Sequence, residues 1–291
     1  MAGGVAVRRN LLCVTWSAGR GHVFLFDLDA GRRMSAWTMP DSPRGYSDAA
    51  GVAMDEHFHL FVADPHNDRV CHFSAFGRHL GDLGTPAPEV GDAPRDRPGV
   101  LHRPQAVALC GATVLVGQGD RPRRRGVQRF SRTGEVQRPL GSGGDPDAKF
   151  GAPRAIWAGP EGIFVADTLF GRVQRFRADG TFVSLLPCAP AGIMSRPVAV
   201  LRLPDGNVLV ADRGDNPGIR LLRPGGAGVE QVDAMQQLCR EPVAFAGDEA
   251  GRVYVLDLAG ERVQRFHGDL TFDQVVVDLR EHLDDYPTSE S

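Results

Sequence analysis

A chain of 291 residues with 42% hydrophobic side chains can bury a sizeable core, and its formal net charge of −3 does not mark the molecule as a whole for nucleic acid. No apolar run approaches the roughly 18 residues of a membrane helix. The opening MAGGVAVRRN carries arginines where a secretory signal places its apolar region, so a cytoplasmic protein with no membrane association is expected.

The five cysteines, Cys13, Cys71, Cys110, Cys188 and Cys239, are odd in number, widely spaced and free of any CxxC. That pattern argues for buried free thiols rather than a disulfide framework or a zinc knuckle. Of the 33 basic residues only Lys149 is lysine, a bias that, with abundant Ala, Gly and Pro, points to a GC-rich bacterial genome.

One unit repeats along the chain. Within 162–184, the β-branched and aromatic runs 163–166 and 172–176 flank a polar loop, and Ala178-Asp179-Gly180 turns into a third run at 181–184. Just upstream, 155–158 and the turn Gly159-Pro160-Glu161-Gly162 add a fourth strand. The unit is a four-stranded antiparallel meander. With Asp167 as marker, the second strands end at Trp16, Asp64, Gln118, Asp167, Asp212 and Asp257, spaced by 48, 54, 49, 45 and 45 residues, the size of a propeller blade.

First strands are small and apolar (4–7, 51–54, 106–109, 155–158, 199–201, 244–246), as crowding around a propeller axis requires. Third strands read VQRF at 127–130, 173–176 and 263–266, with VCHF at 70–73 and VFLF at 23–26. Apolar residues on both faces of the middle strands suit sheets sandwiched between neighbours. The expected fold is all-β, a six-bladed β-propeller of four-stranded antiparallel blades over 1–278. Its blades fall at about 3–44, 45–84, 101–141, 151–187, 195–234 and 240–278, followed by a tail at 279–291. Each blade is expected to be contiguous, with 272–277 as the outer strand of the sixth, so the ring closes without an exchanged strand. One helix is expected, at 277–285, with a disordered end beyond it.

Val-Ala-Asp, a polar loop, Arg-Val-Gln-Arg-Phe and a Gly turn, as at 165–180 and in the related stretch 62–77, resembles the NHL repeat. Six copies resemble the six-bladed NHL propeller. The resemblance spans nearly the whole chain and is strongest in units two, four and six; in unit one Trp16 and His22 hold the Asp and Arg places. It implies a non-enzymatic protein-interaction scaffold, similar to bacterial propellers that serve as accessory or assembly factors of larger complexes, redox enzymes among them. Two other classes compete. One is a metal-dependent lyase or lactonase-like hydrolase, since catalytic propellers of this kind hold a metal at the axis with His, Asp, Asn and Glu. The other is a single-stranded RNA binder, as in some animal NHL regulators.

Asp64 and Arg69, Asp167 and Arg172, and Asp257 and Arg262 are each five residues apart, at the two ends of a strand-loop-strand hairpin. A carboxylate facing a guanidinium there staples the register, and its recurrence in three blades favours structure over catalysis. Asp212 faces Gly218, so the fifth blade is expected to lack the staple.

Strand direction places these hairpins and the blade-to-blade connections on one face. The interruptions 81–101, 119–126 and 141–153 share that face. Long irregular loops on a rigid scaffold commonly carry binding. Arg95, Arg97, Arg121, Arg123, Arg124 and Arg125 are therefore the expected partner-binding residues. No aromatic is interleaved among them for base stacking, which favours a protein partner over nucleic acid.

The mouth of the axial channel is read at Gly3, Ala50, Gln105, Arg154, Val198 and Val243, with Asp48, His102, Arg103, Arg196 and Glu241 close by. Four of the first six are small or apolar and no ligand triad is present, so neither a metal nor another cofactor is expected. The arginines suit an anionic ligand instead. His57 and His59 could share one side of a strand, but they align with a turn on the opposite face and read as surface residues. GxSxG, a complete GxGxxG and a Walker sequence are all missing.

Overall fold

The computed structural model describes residues 3–42, 44–86, 97–118, 126–141, 143–186, 195–223 and 228–283. Six four-stranded antiparallel sheets follow one another along the chain, and in each the strands pair in sequence order. The inner strands are Gly3–Arg8, Val52–Met54, Pro104–Cys110, Pro153–Gly159, Pro197–Arg202 and Pro242–Gly247. They converge on an axial channel of about 80 Å³ lined mainly by small and β-branched side chains.

The second strands Leu60–Asp64, Gly162–Asp167, Val208–Asp212 and Val253–Asp257 are buried at every residue. Each has a neighbouring blade on both faces, which is why its sequence is continuously apolar rather than alternating. The core is accordingly split into interblade layers. Cys13, Val23 and Leu25 of blade one meet Val52, Val62 and Cys71 of blade two. Val5, Trp16 and Phe24 meet Tyr254, Leu256 and Val277 of blade six, and Arg9 N donates to Glu249 Oε2 (3.1 Å), so the ring closes without an exchanged strand. Burying a Val, Leu or Phe contributes about 1.5–3 kcal/mol, so these layers dominate stability.

Three expectations need correction. Val277 and Asp278 belong to the outer strand Phe272–Asp278, and among the described residues of that stretch only Arg280–Leu283 is helical. The β-branched run Val275-Val276-Val277 pairs with the VQRF strand, and this tertiary pairing overrides helix formation. Residues 284–291 lie outside the described residues. A second helix, Asp233–Leu238, fills the connection between blades five and six and packs Met235 beside Leu201, Ile219 and Cys239. Finally, Gly81, Asp82 and Leu83 belong to the outer strand His79–Leu83. The interruption after them opens and closes with a parallel pair, Thr85–Pro86 against Val100–Leu101. Among the described residues no helix is long and apolar enough to cross a membrane.

Candidate functional site

The face carrying the second-to-third hairpins is organised by one device repeated in five blades. The side chain that ends the second strand accepts a backbone N–H from the segment entering the inner strand, 16 residues earlier in each case. Asp64 accepts from Asp48 (3.1 Å), Gln118 from His102 (2.8 Å) and Asp257 from Glu241 (2.8 Å). Asp167 accepts from Gly151 (2.6 Å) and Ala152 (2.7 Å), and Asp212 from Ser195 (3.0 Å) and Arg196 (2.7 Å). A buried carboxylate needs such donors, and entering segments have N–H groups that the sheet does not use. In blade one the equivalent Trp16 is buried in the apolar layer instead.

Guanidinium contacts are a variable addition to this cap. Arg69 Nε lies 3.0 Å from Asp64, and Arg262 Nε lies 3.5 Å from Asp257. Arg172 instead donates to the carbonyls of Asp147 (3.2 Å) and Lys149 (2.6 Å), tying down the loop 141–153. Blade five departs from expectation. Arg220, fully buried, places Nη1 3.8 Å from Asp212 and donates from Nη2 to Asn216 O (2.6 Å). Residues 218 and 220 share one side of the strand. Gly218 has no side chain, and the guanidinium reaches back through the space: a Cβ there would sit 3.3 Å from Arg220 Nη1.

At this end of the axis the blades open into a cavity of about 690 Å³. In four blades a proline begins the inner strand and a register shift follows it, between Pro104 and Ala106, Pro153 and Ala155, Pro197 and Ala199, and Pro242 and Ala244. Proline is tolerated at a strand start, and a bulge re-aims the extra residue. Those extra residues, Gln105, Arg154, Val198 and Val243, line the cavity together with Gly3 and Ala50.

Among the described residues three arginines, Arg103, Arg154 and Arg213, line it against a single carboxylate, Asp48, which accepts from Ser17 Oγ (2.7 Å). The wall is therefore cationic. Asp68, at φ +54°, fixes Arg103 by accepting its N–H (2.7 Å) and also takes Arg44 Nη1 (2.9 Å), so one buried side chain joins two blade connections. Arg213 is itself ion-paired with Glu241. On the same face Tyr46 lines the cavity and stacks on His66 at 4.0 Å, while Leu169 and Phe170 stand out from the hairpin of blade four. These three are 47%, 56% and 46% exposed.

The residues expected from sequence distribute unevenly. His102 is buried with its ring 3.6 Å from Asp68 and is not part of the cavity wall, because Gln118 holds its backbone beneath the hairpin. Arg196 is exposed but also outside the wall: its N–H is held by Asp212 and its carbonyl by the N–H of Arg213, whose side chain takes that place. Arg97 is exposed and its carbonyl accepts from Val100 N (3.1 Å). Arg95, Arg121, Arg123, Arg124 and Arg125 lie outside the described residues. Sequence reading missed Arg213, Tyr46 and Asp68. Arg213 directly follows a second-strand Asp, which was the available signal.

On the opposite face His57 and His59 sit in the turn between Val52–Met54 and Leu60–Asp64, with His59 3.5 Å from Asp55. There Arg132 of blade three clamps Glu56 of blade two through two contacts of 2.6 and 2.7 Å. These bonds hold the Glu56 carboxyl at about 2, below its ordinary 4.5. A carboxylate lowered in this way stabilises the fold above its ordinary value, and the contribution is lost as pH falls towards about 2. Glu56→Gln is expected to flatten that part of the acid limb in thermal melts; an unchanged limb would remove the clamp from the account.

No family model matches the sequence, and no curated protein matches it. Solved structures do. Streptogramin B lyase is 13% identical over 94% of this chain and 81% of its own, with a TM-score of 0.63. Virginiamycin B lyase from Staphylococcus aureus is 12% identical over 93% and 82%, at 0.62. A chain in the nidogen/laminin complex is 15% identical over 89% of both, at 0.63. At such identities the likeness is one of fold.

Proposed function

We propose that this propeller is a non-enzymatic docking platform of the NHL type, gripping a partner protein with the face that carries the cationic cavity. An accessory or assembly role in a larger enzyme complex is in keeping with it. The observation that carries this reading is the exposure of Tyr46, Leu169 and Phe170 on the face that also holds Arg103, Arg154 and Arg213. Aromatic residues and arginine supply most hot spots of protein interfaces, and exposed apolar side chains on one face mark contact surfaces. One of the structures sharing the fold is itself a complex of two proteins, nidogen and laminin.

A lyase is the competing reading. Among the virginiamycin B lyase structures is a catalytically inactive variant with a histidine replaced by alanine, so a histidine matters in that enzyme. Here no histidine or cysteine is found among the described residues of the cavity wall, whose charged groups are three arginines and one aspartate. Such a wall suits carboxylates of a partner better than a divalent cation.

A photo-crosslinking residue at Phe170 tests the proposal, with one at Phe76, 77% exposed in the turn between Arg69–Phe73 and His79–Leu83, as the opposite-face control. In native extract a discrete protein adduct is expected from Phe170 only, and Arg154→Glu with Leu169→Asp should abolish it. An adduct indifferent to both substitutions, or an RNA adduct in its place, would overturn the reading.

A further inference from the structure

We infer that blade two carries a transition-metal site of the zinc type, formed by Cys71, His79 and Asp82 on its two outer strands. One ligand atom from each lies within 4.8 Å of those of the other two. Cys71 is directly opposite Asp82 in the register, and His79 Nε2 lies 2.8 Å from Asp82 Oδ1.

Residues three apart in a regular strand point to opposite sides, so His79 and Asp82 should not converge. They do because the register shifts between His72 and Phe73, leaving an extra residue on the outer strand. The same shift occurs in blades one, four and six. By register, the places of Cys71, His79 and Asp82 are held by Gln174, Phe182 and Leu185 in blade four, and by Gln264, Phe272 and Val275 in blade six. The bulge is thus a property of the fold. The donor set belongs to blade two. A feature that recurs in four blades is scaffold, whereas one introduced into a single blade at converging positions needs its own explanation.

Cys71 forms a buried floor, while the side chains of His79 and Asp82 are 36% and 31% exposed, which leaves the site open to solvent. Arg69 donates from Nη1 to Asp82 Oδ2 (3.0 Å) and from Nε to Asp64, orienting the carboxylate and leaving Oδ1 turned to the histidine. Thiolate, imidazole and carboxylate together are donors for a borderline metal such as Zn(II), and not for the all-oxygen sites of calcium or magnesium. Three protein ligands leave a fourth position for water. Burial pushes the Cys71 thiol up, so it is protonated without metal. On binding, the S–H proton would leave to solvent as the metal–sulfur bond forms. The site lies away from the axial cavity and is independent of the docking proposal.

Cobalt(II) added to the metal-free, reduced full-length protein tests this. One equivalent should bind with a thiolate-to-cobalt charge-transfer band in the near ultraviolet and tetrahedral bands in the visible, all displaced by Zn(II). Cys71→Ser should abolish the charge-transfer band, whereas Cys239→Ser should leave it. His79→Gln and Asp82→Asn, at partly exposed positions, should each weaken binding about 10-fold or more. Absence of the band, its survival in Cys71→Ser, or unchanged affinity in both surface variants would overturn the assignment. Should Cys71→Ser fail to fold, the two surface variants decide the matter.

Discussion

Asp167→Ala is expected to destabilise the protein by about 4 kcal/mol, lowering the melting temperature by roughly 10 °C. The carboxylate is fully buried and accepts from Gly151 N at 2.6 Å and Ala152 N at 2.7 Å. Each charge-assisted bond is worth about 1.5–3 kcal/mol, and deletion also strands two donors away from water. Relief from desolvating a charge offsets part of the loss. Asp167→Asn should fall between the two, because its carbonyl serves one N–H while its amide faces the other. Arg172→Ala should cost about 1 kcal/mol or less, since its guanidinium only supplements carbonyls near solvent. Equilibrium denaturation of the three variants is the measurement. A larger loss from Arg172→Ala than from Asp167→Ala would restore the hairpin staple as the main device and remove the cap.

Gly51→Ala is the second large effect, at about 3 kcal/mol or more. A Cβ at Gly51 would lie 2.6 Å from Gln105 O, 3.0 Å from Ala106 Cα and 3.1 Å from Val107 N, all backbone atoms of the next blade. Gly51 N also donates to Gln105 O at 3.0 Å, so the strands cannot part without losing that bond. The damage reaches the cavity wall, because Gln105 is the bulged residue there. Gly143→Ala, with no atom within 4 Å of its added Cβ, is the matched control and should change stability by less than about 0.5 kcal/mol. Equal melting curves for the two variants would mean that the inner strands are not in close backbone contact.

The blades were legible because each is contiguous in sequence and every strand pairs with its neighbour in the chain. The recurring second-strand aspartate was legible too, but its partner was not. Sequence spacing offers Arg172 five residues away, whereas the donors are backbone groups 15 and 16 residues earlier, and N–H groups leave no mark on composition. Arg220 was hidden for a related reason. Its guanidinium reaches over Gly218, so the functional group and its place in the repeat differ by one strand period. Around the cavity, Gln105 and Arg154 were placed from the repeat, while Arg213 displaced Arg196 because hydrogen bonding by Asp212 fixes the course of that segment.

Repetition in the amino-acid order determined the number of blades and the order of strands in each, since pairing within a blade is local in the chain, and the continuously apolar second strands marked where blades stack. Side-chain convergence was decided only in three dimensions. A bulge reverses which side a residue faces, and the ring brings together residues some 50 positions apart. The cationic cavity and the Cys71, His79 and Asp82 cluster arise from those two operations, neither of which a period of two along a strand can encode.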